Sequence, residues 1–292
     1  MNRLNSLHLS NKPILFFDSG IGGLPYFRYF YERNPRDTVI YIADRGHFPY
    51  GSKTREEITG ILIELAARAL KYVEPSAAVL ACNTASVSAL NALRETFPSV
   101  SWVGTVPAIK PAVLASKTHR VGVLGTDRTI EDPYIMELAK KYGPGVKIAA
   151  LAAPDIVQFV EHGGERAAET EKARVVSPYI ERLRAVGADA LVLGCTHFLL
   201  LLDTFRRLAA PGIGVYDSVE GVIRRVEKIS KTSKTAPDAA AAGRMSGAVL
   251  LLTGSAPIEP LWQKRACAFG LDICLLDSLD SLNCPNNERP VP

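Results

Sequence analysis

The sequence predicts an α/β protein built on two open, doubly wound parallel sheets, and three observations carry that reading. Short apolar, β-favouring runs alternate with longer segments of helical period almost from end to end of the 292 residues. Several of those runs are apolar on both faces, as strands are when helices cover a parallel sheet on each side. A similar strand-and-turn sequence recurs in each half, which favours two sheets over one closed barrel of eight units.

In chain order, the strand 14–17 runs into Asp18-Ser19-Gly20-Ile21-Gly22-Gly23. Glycine permits tight turns and close backbone approach, and the amides of a helix start suit a carboxylate or phosphate. The glycines are mis-spaced for the G-x-G-x-x-G of a dinucleotide site. Strand 39–43 is followed by a loop containing Pro49-Tyr50-Gly51, either a plain turn or a ligand loop offering a hydroxyl and a free amide. Helix 54–72 leads to strand 77–81, Cys82, helix 85–97 and strand 101–104. A second group runs from strand 120–124 through Gly125-Thr126-Asp127-Arg128-Thr129, helix 130–142, strand 147–151, helix 165–186, strand 190–194 and Cys195 to helix 198–208. Strand 214–216, helix 218–231 and strands 249–253 and 273–276 complete the pattern, with 231–242 read as a surface loop and 283–292 as a frayed tail.

The recurrence is specific. Val79-Leu80-Ala81-Cys82-Asn83-Thr84 and Val192-Leu193-Gly194-Cys195-Thr196-His197 each end an apolar strand in a small residue and a cysteine, 113 positions apart (195 − 82). Asp18-Ser19-Gly20 and Gly125-Thr126-Asp127 lie 107 apart (125 − 18). An internal duplication explains both offsets; strand-to-helix turns that share small and hydroxyl residues by chance are the alternative. No Gly/Ser-rich tract separates the halves, so the two domains are expected to share a substantial interface.

Composition closes off other classes. Thirty-four basic against 30 acidic residues leave a net charge of +4, and a pI near 8.7 gives little support for a nucleic-acid or membrane partner. No signal-peptide core opens the chain and no run approaches a membrane span, so the expected location is the cytoplasm. Five cysteines in a reducing compartment argue against a disulfide framework, with Cys267, Cys274 and Cys284 read as bystanders. Cys82 and Cys195 differ, because each follows a strand and opens a helix whose amides favour thiolate. One such cysteine is more simply a small buried hydrophobe; two at matching positions reverse the odds. Zinc is the rival for Cys195-Thr196-His197, but one intervening residue is tight for joint ligation, and His47 and His162 read more simply as surface or helix-end residues.

Taken together, Asp18-Ser19-Gly20-x-Gly22-Gly23, Pro49-Tyr50-Gly51, Ala81-Cys82-Asn83-Thr84-Ala85 and Gly194-Cys195-Thr196-His197 resemble the glutamate racemases of the aspartate/glutamate racemase superfamily, over roughly residues 14–277. The resemblance implies two doubly wound domains related by pseudo-twofold symmetry with the active site between them. The expected division is 1–104 plus 212–292 for the first domain, carrying Asp18 and Cys82, and 105–211 for the second, carrying Cys195. It also implies a two-base proton transfer at Cα that needs neither metal nor other cofactor, L- and D-glutamate as the small-molecule substrate, supply of D-glutamate for peptidoglycan, and a homodimer.

By the same resemblance Cys82 takes the proton from D-glutamate and Cys195 from L-glutamate. Asp18 is the carboxylate beside the first thiol, His197 the imidazole beside the second, and Glu161 in Val160-Glu161-His162-Gly163 an auxiliary acid. Asp18, Ser19, Tyr50, Gly51, Asn83, Thr84, Thr196 and His197 are expected to bind substrate. Thr126 and Thr129 are expected either at the substrate's side-chain carboxylate or as helix caps. The chain departs from the family's pattern at Leu199, where proline is usual, and at Pro25-Tyr26. The alternatives are a racemase of aspartate or another amino acid, against which His197 stands because the aspartate enzymes resemble this motif with glutamate there, a one-cysteine thiol hydrolase, and a non-catalytic ligand-binding relative.

Overall fold

The computed structural model describes residues 12–230 and 247–279. The loop read at 231–242, the tail at 283–292, Cys284 and the opening residues 1–11 lie outside the described residues.

All ten expected strands form: β1 (Ile14–Asp18), β2 (Val39–Ala43), β3 (Ala77–Leu80), β4 (Trp102–Gly104), β5 (Arg120–Gly125), β6 (Lys147–Ala152), β7 (Ala190–Leu193), β8 (Gly214–Tyr216), β9 (Ala248–Leu252) and β10 (Asp272–Leu275). They build two sheets, ordered β10-β9-β2-β1-β3-β4 and β6-β5-β7-β8, and every pairing is parallel. Within the first sheet, the run β2-β1-β3-β4 has the same order of connection as β6-β5-β7-β8. The repeated sequence is therefore a repeated topology, with β1 matching β5 and β3 matching β7.

The physical reason for apolar residues on both faces is now visible. Phe16, Tyr41 and Val79 project to one face of the first sheet, whereas their neighbours Leu15, Phe17, Ile40, Ile42, Ala78 and Leu80 project to the other. Each face is covered, and burying one such side chain contributes roughly 1.5–3 kcal/mol. The first of these clusters continues through Leu124, Leu193, Cys195 and Phe198 of the second half, so apolar contact joins the two lobes.

Helices differ from expectation in several places. Leu24–Arg33 forms where a helix is expected after the glycine turn but without stated bounds, and Ile109–Ala115, Pro154–Glu161 and Pro260–Ala268 were not anticipated. The first is Leu-Pro-Tyr-Phe-Arg-Tyr-Phe-Tyr-Glu-Arg, whose aromatic residues are poor helix formers in isolation but bury Tyr26, Phe27 and Phe30 here. Its Pro25 lies in the first turn, where a missing N–H costs nothing, so this departure from the family's pattern is compatible with a helix. The predicted helix 130–142 is divided: Asp132 ends Asp127–Glu131, and its carboxylate accepts the Tyr134 N–H to start Pro133–Tyr142. The predicted 198–208 helix begins instead as a 3₁₀ turn, Thr196–Leu201, before Leu202–Ala209.

Two further expectations are modified. Strand β8 lies beyond the expected return at residue 212 yet pairs with β7, so the chain is still in the second sheet at Tyr216. Cys274 is disulfide-bonded rather than a lone bystander, which residue spacing alone does not reveal, whereas Cys82, Cys195 and Cys267 are free. Among the described residues no helix is long and apolar enough to cross a membrane.

Candidate active site

Parallel sheets place loops from neighbouring strands together at their carboxyl ends. The β1 and β3 ends face the β5 and β7 ends across a cavity of ≈ 170 Å³, lined on one side by Ser19, Tyr50, Cys82 and Thr84 and on the other by Thr126, Cys195 and His197. Cys82 and Cys195, 6% and 7% exposed, thus reach one cavity from opposite lobes. Each is the residue that starts a helix or 3₁₀ turn after its strand.

Close approach of the lobes depends on the glycine turn. A Cβ at Gly22 would lie 2.4 Å from Thr196 Oγ1, 2.6 Å from His197 Nδ1 and 2.7 Å from the His197 backbone nitrogen. A Cβ at Gly20 would lie 2.7 Å from Glu161 Oε2. Further out, the Arg55 guanidinium pairs with Asp132 across the lobes, and the hydroxyls of Thr84, Thr126 and Thr129 join in a triangle of 2.9–3.1 Å. Thr126 also caps its helix by accepting the Thr129 N–H, as the capping reading expects.

The two thiols sit in different electrostatic surroundings. Burial pushes the Cys82 thiol up, and the neighbouring Asp18 charge adds to this, against the Ala85 N–H and Ser19 hydroxyl that favour its thiolate. Asp18 is 2% exposed and accepts from the Gly20 N–H at 2.6 Å and the Thr196 hydroxyl at 3.3 Å. Burial nevertheless raises its carboxyl to about 6. Cys195 Sγ lies 3.8 Å from His197 Nδ1, and His197 Nε2 lies 2.9 Å from Glu161 Oε2. Burial would lower the His197 pKa, but its bonds to Cys195 and Glu161 outweigh that and hold it well above the ordinary imidazole value. The cavity therefore has a neutral-thiol side and an imidazolium side.

Of the remaining expected residues, Ser19, Tyr50, Gly51 and Thr84 line the cavity, whereas Asp18, Asn83, Thr196 and Glu161 stand behind its wall. Tyr50 is held by donating to the buried Asp44 at 2.6 Å, and Asp44 also accepts from Thr253. The amide nitrogen of Asn83 is buried with no hydrogen-bond partner among the described residues. His47 bonds to Asp44 and His162 to the Gln158 carbonyl, both away from the thiols. Sequence reasoning missed Phe48, Ser52, Val157 and Gln158 in the wall. Phe48 and Ser52 flank the Pro-Tyr-Gly motif and could have been found by extending it; Val157 and Gln158 belong to the unanticipated helix Pro154–Glu161. Leu199 stays within the 3₁₀ turn without proline, beside Phe198, which packs on Phe205 at 6.0 Å.

The raised carboxyl of Asp18 has a consequence for stability. Because the folded value exceeds the ordinary 3.8, its contribution is fully present below that value and is lost as pH rises to about 6. Two units correspond to roughly 3 kcal/mol. Urea unfolding of wild type and Asp18→Asn between pH 4 and 8 should show the wild type losing up to about that much relative to the variant across this window. Parallel curves would contradict it. His197 acts in the same sense at higher pH, since a raised imidazole contributes stability below about 6.5 that is lost on passing its folded value.

Residues 30–226, more than half of the chain, match the model of the Asp/Glu/Hydantoin racemase family. The glutamate racemase of Herpetosiphon aurantiacus is 36% identical over 76% of this chain and 85% of its own. That of Pseudomonas paraeruginosa is 33% identical over 89% of this chain and 98% of its own. Among solved structures, Escherichia coli glutamate racemase, in complex with L-glutamate and the activator UDP-MurNAc-Ala, superposes with a TM-score of 0.77 at 28% identity, covering 91% of this chain and 98% of that one. Two parallel sheets of matching order, a pair of thiols at equivalent strand ends and these similarities lead to one conclusion: the chain belongs to the Asp/Glu/Hydantoin racemase family of amino-acid racemases.

Proposed function

We propose that this protein interconverts L- and D-glutamate by proton transfer at Cα between Cys82 and Cys195. The observation that carries the reading is that two free thiols, placed by equivalent strands of two lobes, line the same small cavity. An amino-acid α-hydrogen is a very weak acid, so a base must be held about 3 Å from it, and inversion needs an acid on the opposite face. A pair of opposed thiols supplies both and exchanges roles with the direction of reaction.

The asymmetry of the site gives the two thiols different surroundings. On one side burial keeps Cys82 as a thiol, ready to donate. On the other, the His197 imidazolium lies beside Cys195 and supplies the counter-charge whenever that thiol has given up its proton. That form takes the proton from L-glutamate at Cys195 and delivers one from Cys82 to the opposite face, giving D-glutamate; the reverse direction starts from the opposite distribution. Asp18 assists Cys82, and Glu161 holds His197. The hydroxyls and amides of Ser19, Tyr50, Gly51 and Thr84 bind substrate from the wall of the cavity, and Asn83 and Thr196 join them only if substrate reaches past that wall, where the unpartnered Asn83 amide suits a carboxylate. No step in this scheme calls on a metal or carbonyl cofactor. The relatives' glutamate specificity supports the choice of substrate. On the same reading the protein acts in the cytoplasm as a homodimer and supplies D-glutamate for peptidoglycan.

The test is incubation of purified protein with each enantiomer of glutamate in deuterated water, following optical rotation and α-deuteration together. Both are expected from either enantiomer. Turnover of aspartate but not glutamate would refute the substrate, and no exchange with any amino acid would point to a ligand-binding relative.

A further inference from the structure

Behind His197 stands a residue for which the proposed chemistry has no role. Arg265 belongs to the helix Pro260–Ala268, between β9 and β10 of the six-stranded sheet, and is only 3% exposed. Arginine is almost never buried to this degree unless its donors are matched. Its Nη2 donates to the carbonyls of Val160 and Glu161, each at 2.8 Å, and reaches Glu165 Oε2 at 3.2 Å, while Nε donates to Glu165 Oε1 at 2.9 Å. Its Nη1 lies 3.8 Å from Glu161 Oε1, and the guanidinium sits over the Trp262 ring at 5.4 Å.

The carbonyls of Val160 and Glu161 are in the last turn of Pro154–Glu161, where helix acceptors lack intrahelical partners and a cation is favoured. A residue from outside the second sheet therefore caps that helix at the point where it presents Glu161. The Glu161 carboxylate is divided between two tasks: Oε1 faces Arg265, and Oε2 faces His197 Nε2 at 2.9 Å and the Ile21 N–H at 3.4 Å. The chain of contacts ends at Cys195 Sγ, 3.8 Å from His197 Nδ1. Arg265 and an imidazolium at 197 balance the carboxylates of Glu161 and Glu165, which is the condition under which such a buried cluster is tolerated.

We propose that Arg265 is a positioning residue for the Cys195 side of the reaction, fixing the backbone and carboxylate of Glu161 and, through Glu161, the orientation and charge of His197. The charged or titratable groups that face His197 are Cys195 on its own turn, Glu161 from Pro154–Glu161 and Asp18 from β1, with Tyr26 of Leu24–Arg33 beyond Cys195. Arg265 acts on only one of these. Its removal frees Glu161 to rotate and weakens the Glu161 contact that favours imidazolium.

The proposal rests on the two-base reading only for its activity arm. The ring-carbon resonance of His197, assigned by its loss in His197→Asn, is titrated in substrate-free wild type, Arg265→Lys and Arg265→Met. The midpoint should fall in Arg265→Met and move less in Arg265→Lys. The limb of the kcat/KM profile governed by His197 should move to lower pH with it, and kcat/KM should drop about 10- to 100-fold, equally in both directions as the equilibrium requires. In a Glu161→Gln background the same substitution should cost less than about 3-fold, because residues that act through one another are non-additive. An unmoved His197 titration, or fully additive losses, would overturn the proposal. Should Arg265→Met fail to fold, Arg265→Lys and Glu165→Gln carry the same titration and the same cycle. A shifted titration in a protein without glutamate turnover would sink the proposed activity and leave the positioning intact.

Discussion

Replacing Cys82 or Cys195 by alanine is expected to lower glutamate racemisation by at least about 10³-fold, because one positioned acid–base group contributes ~10²–10⁴ and inversion needs one on each face. Both side chains are buried against the same cavity, so alanine removes the sulfur while leaving the strand ends in place. The residual chemistry is more telling than the loss. In Cys82→Ala the remaining Cys195 faces the α-hydrogen of L-glutamate, so L-glutamate should take up deuterium from solvent without forming the D enantiomer. In Cys195→Ala the pattern should invert, with exchange confined to D-glutamate. Nuclear magnetic resonance of the α-position, run beside chiral chromatography, reads both. Full racemisation by either variant, or exchange of both enantiomers by a single-thiol variant, refutes the assignment of one thiol to each face.

Gly22→Ala is expected to be nearly as damaging to activity, although residue 22 touches no reacting atom in the proposed scheme. The added methyl would meet Thr196 Oγ1 at 2.4 Å and, more seriously, the backbone nitrogen of His197 at 2.7 Å. A flexible side chain can turn aside; a backbone amide at the mouth of a 3₁₀ turn cannot without moving the turn. Overpacking of this kind costs about 1–3 kcal/mol in stability. It also moves the loop bearing Cys195 and His197 away from the one bearing Asp18. A misplacement of about 1 Å lowers rate by ~10²-fold. Urea unfolding and steady-state kinetics on the same sample should show both losses. Wild-type kcat/KM in a folded Gly22→Ala protein would show that the lobes do not need this approach.

Much of this arrangement is legible in the sequence. Apolar runs on both faces identified the strands, and the matched turns at 82 and 195 and at 18 and 125 indicated a repeat that the two sheet orders now express. What was illegible had identifiable causes. The extent of the helix Leu24–Arg33 is hidden because the segment is aromatic-rich and its stability comes from burial of Tyr26, Phe27 and Phe30 rather than from local propensity. The break at Asp132 depends on a side-chain cap and the pairing of that carboxylate with Arg55, 77 positions away. The placement of β8 beside β7 is likewise an outcome of distant contacts.

The sequence by itself determined the alternation of strands and helices, the residue types at the strand ends and the candidate pairing of Cys82 with Cys195, because these depend on periodicity and on motifs within a dozen residues. Only the tertiary structure decided that Asp18 is raised toward neutrality, that His197 is held charged, and that Arg265 stands behind Glu161. Those properties come from desolvation and from charges brought within a few ångströms across gaps of 36 to 178 positions in the chain, and no local pattern encodes them.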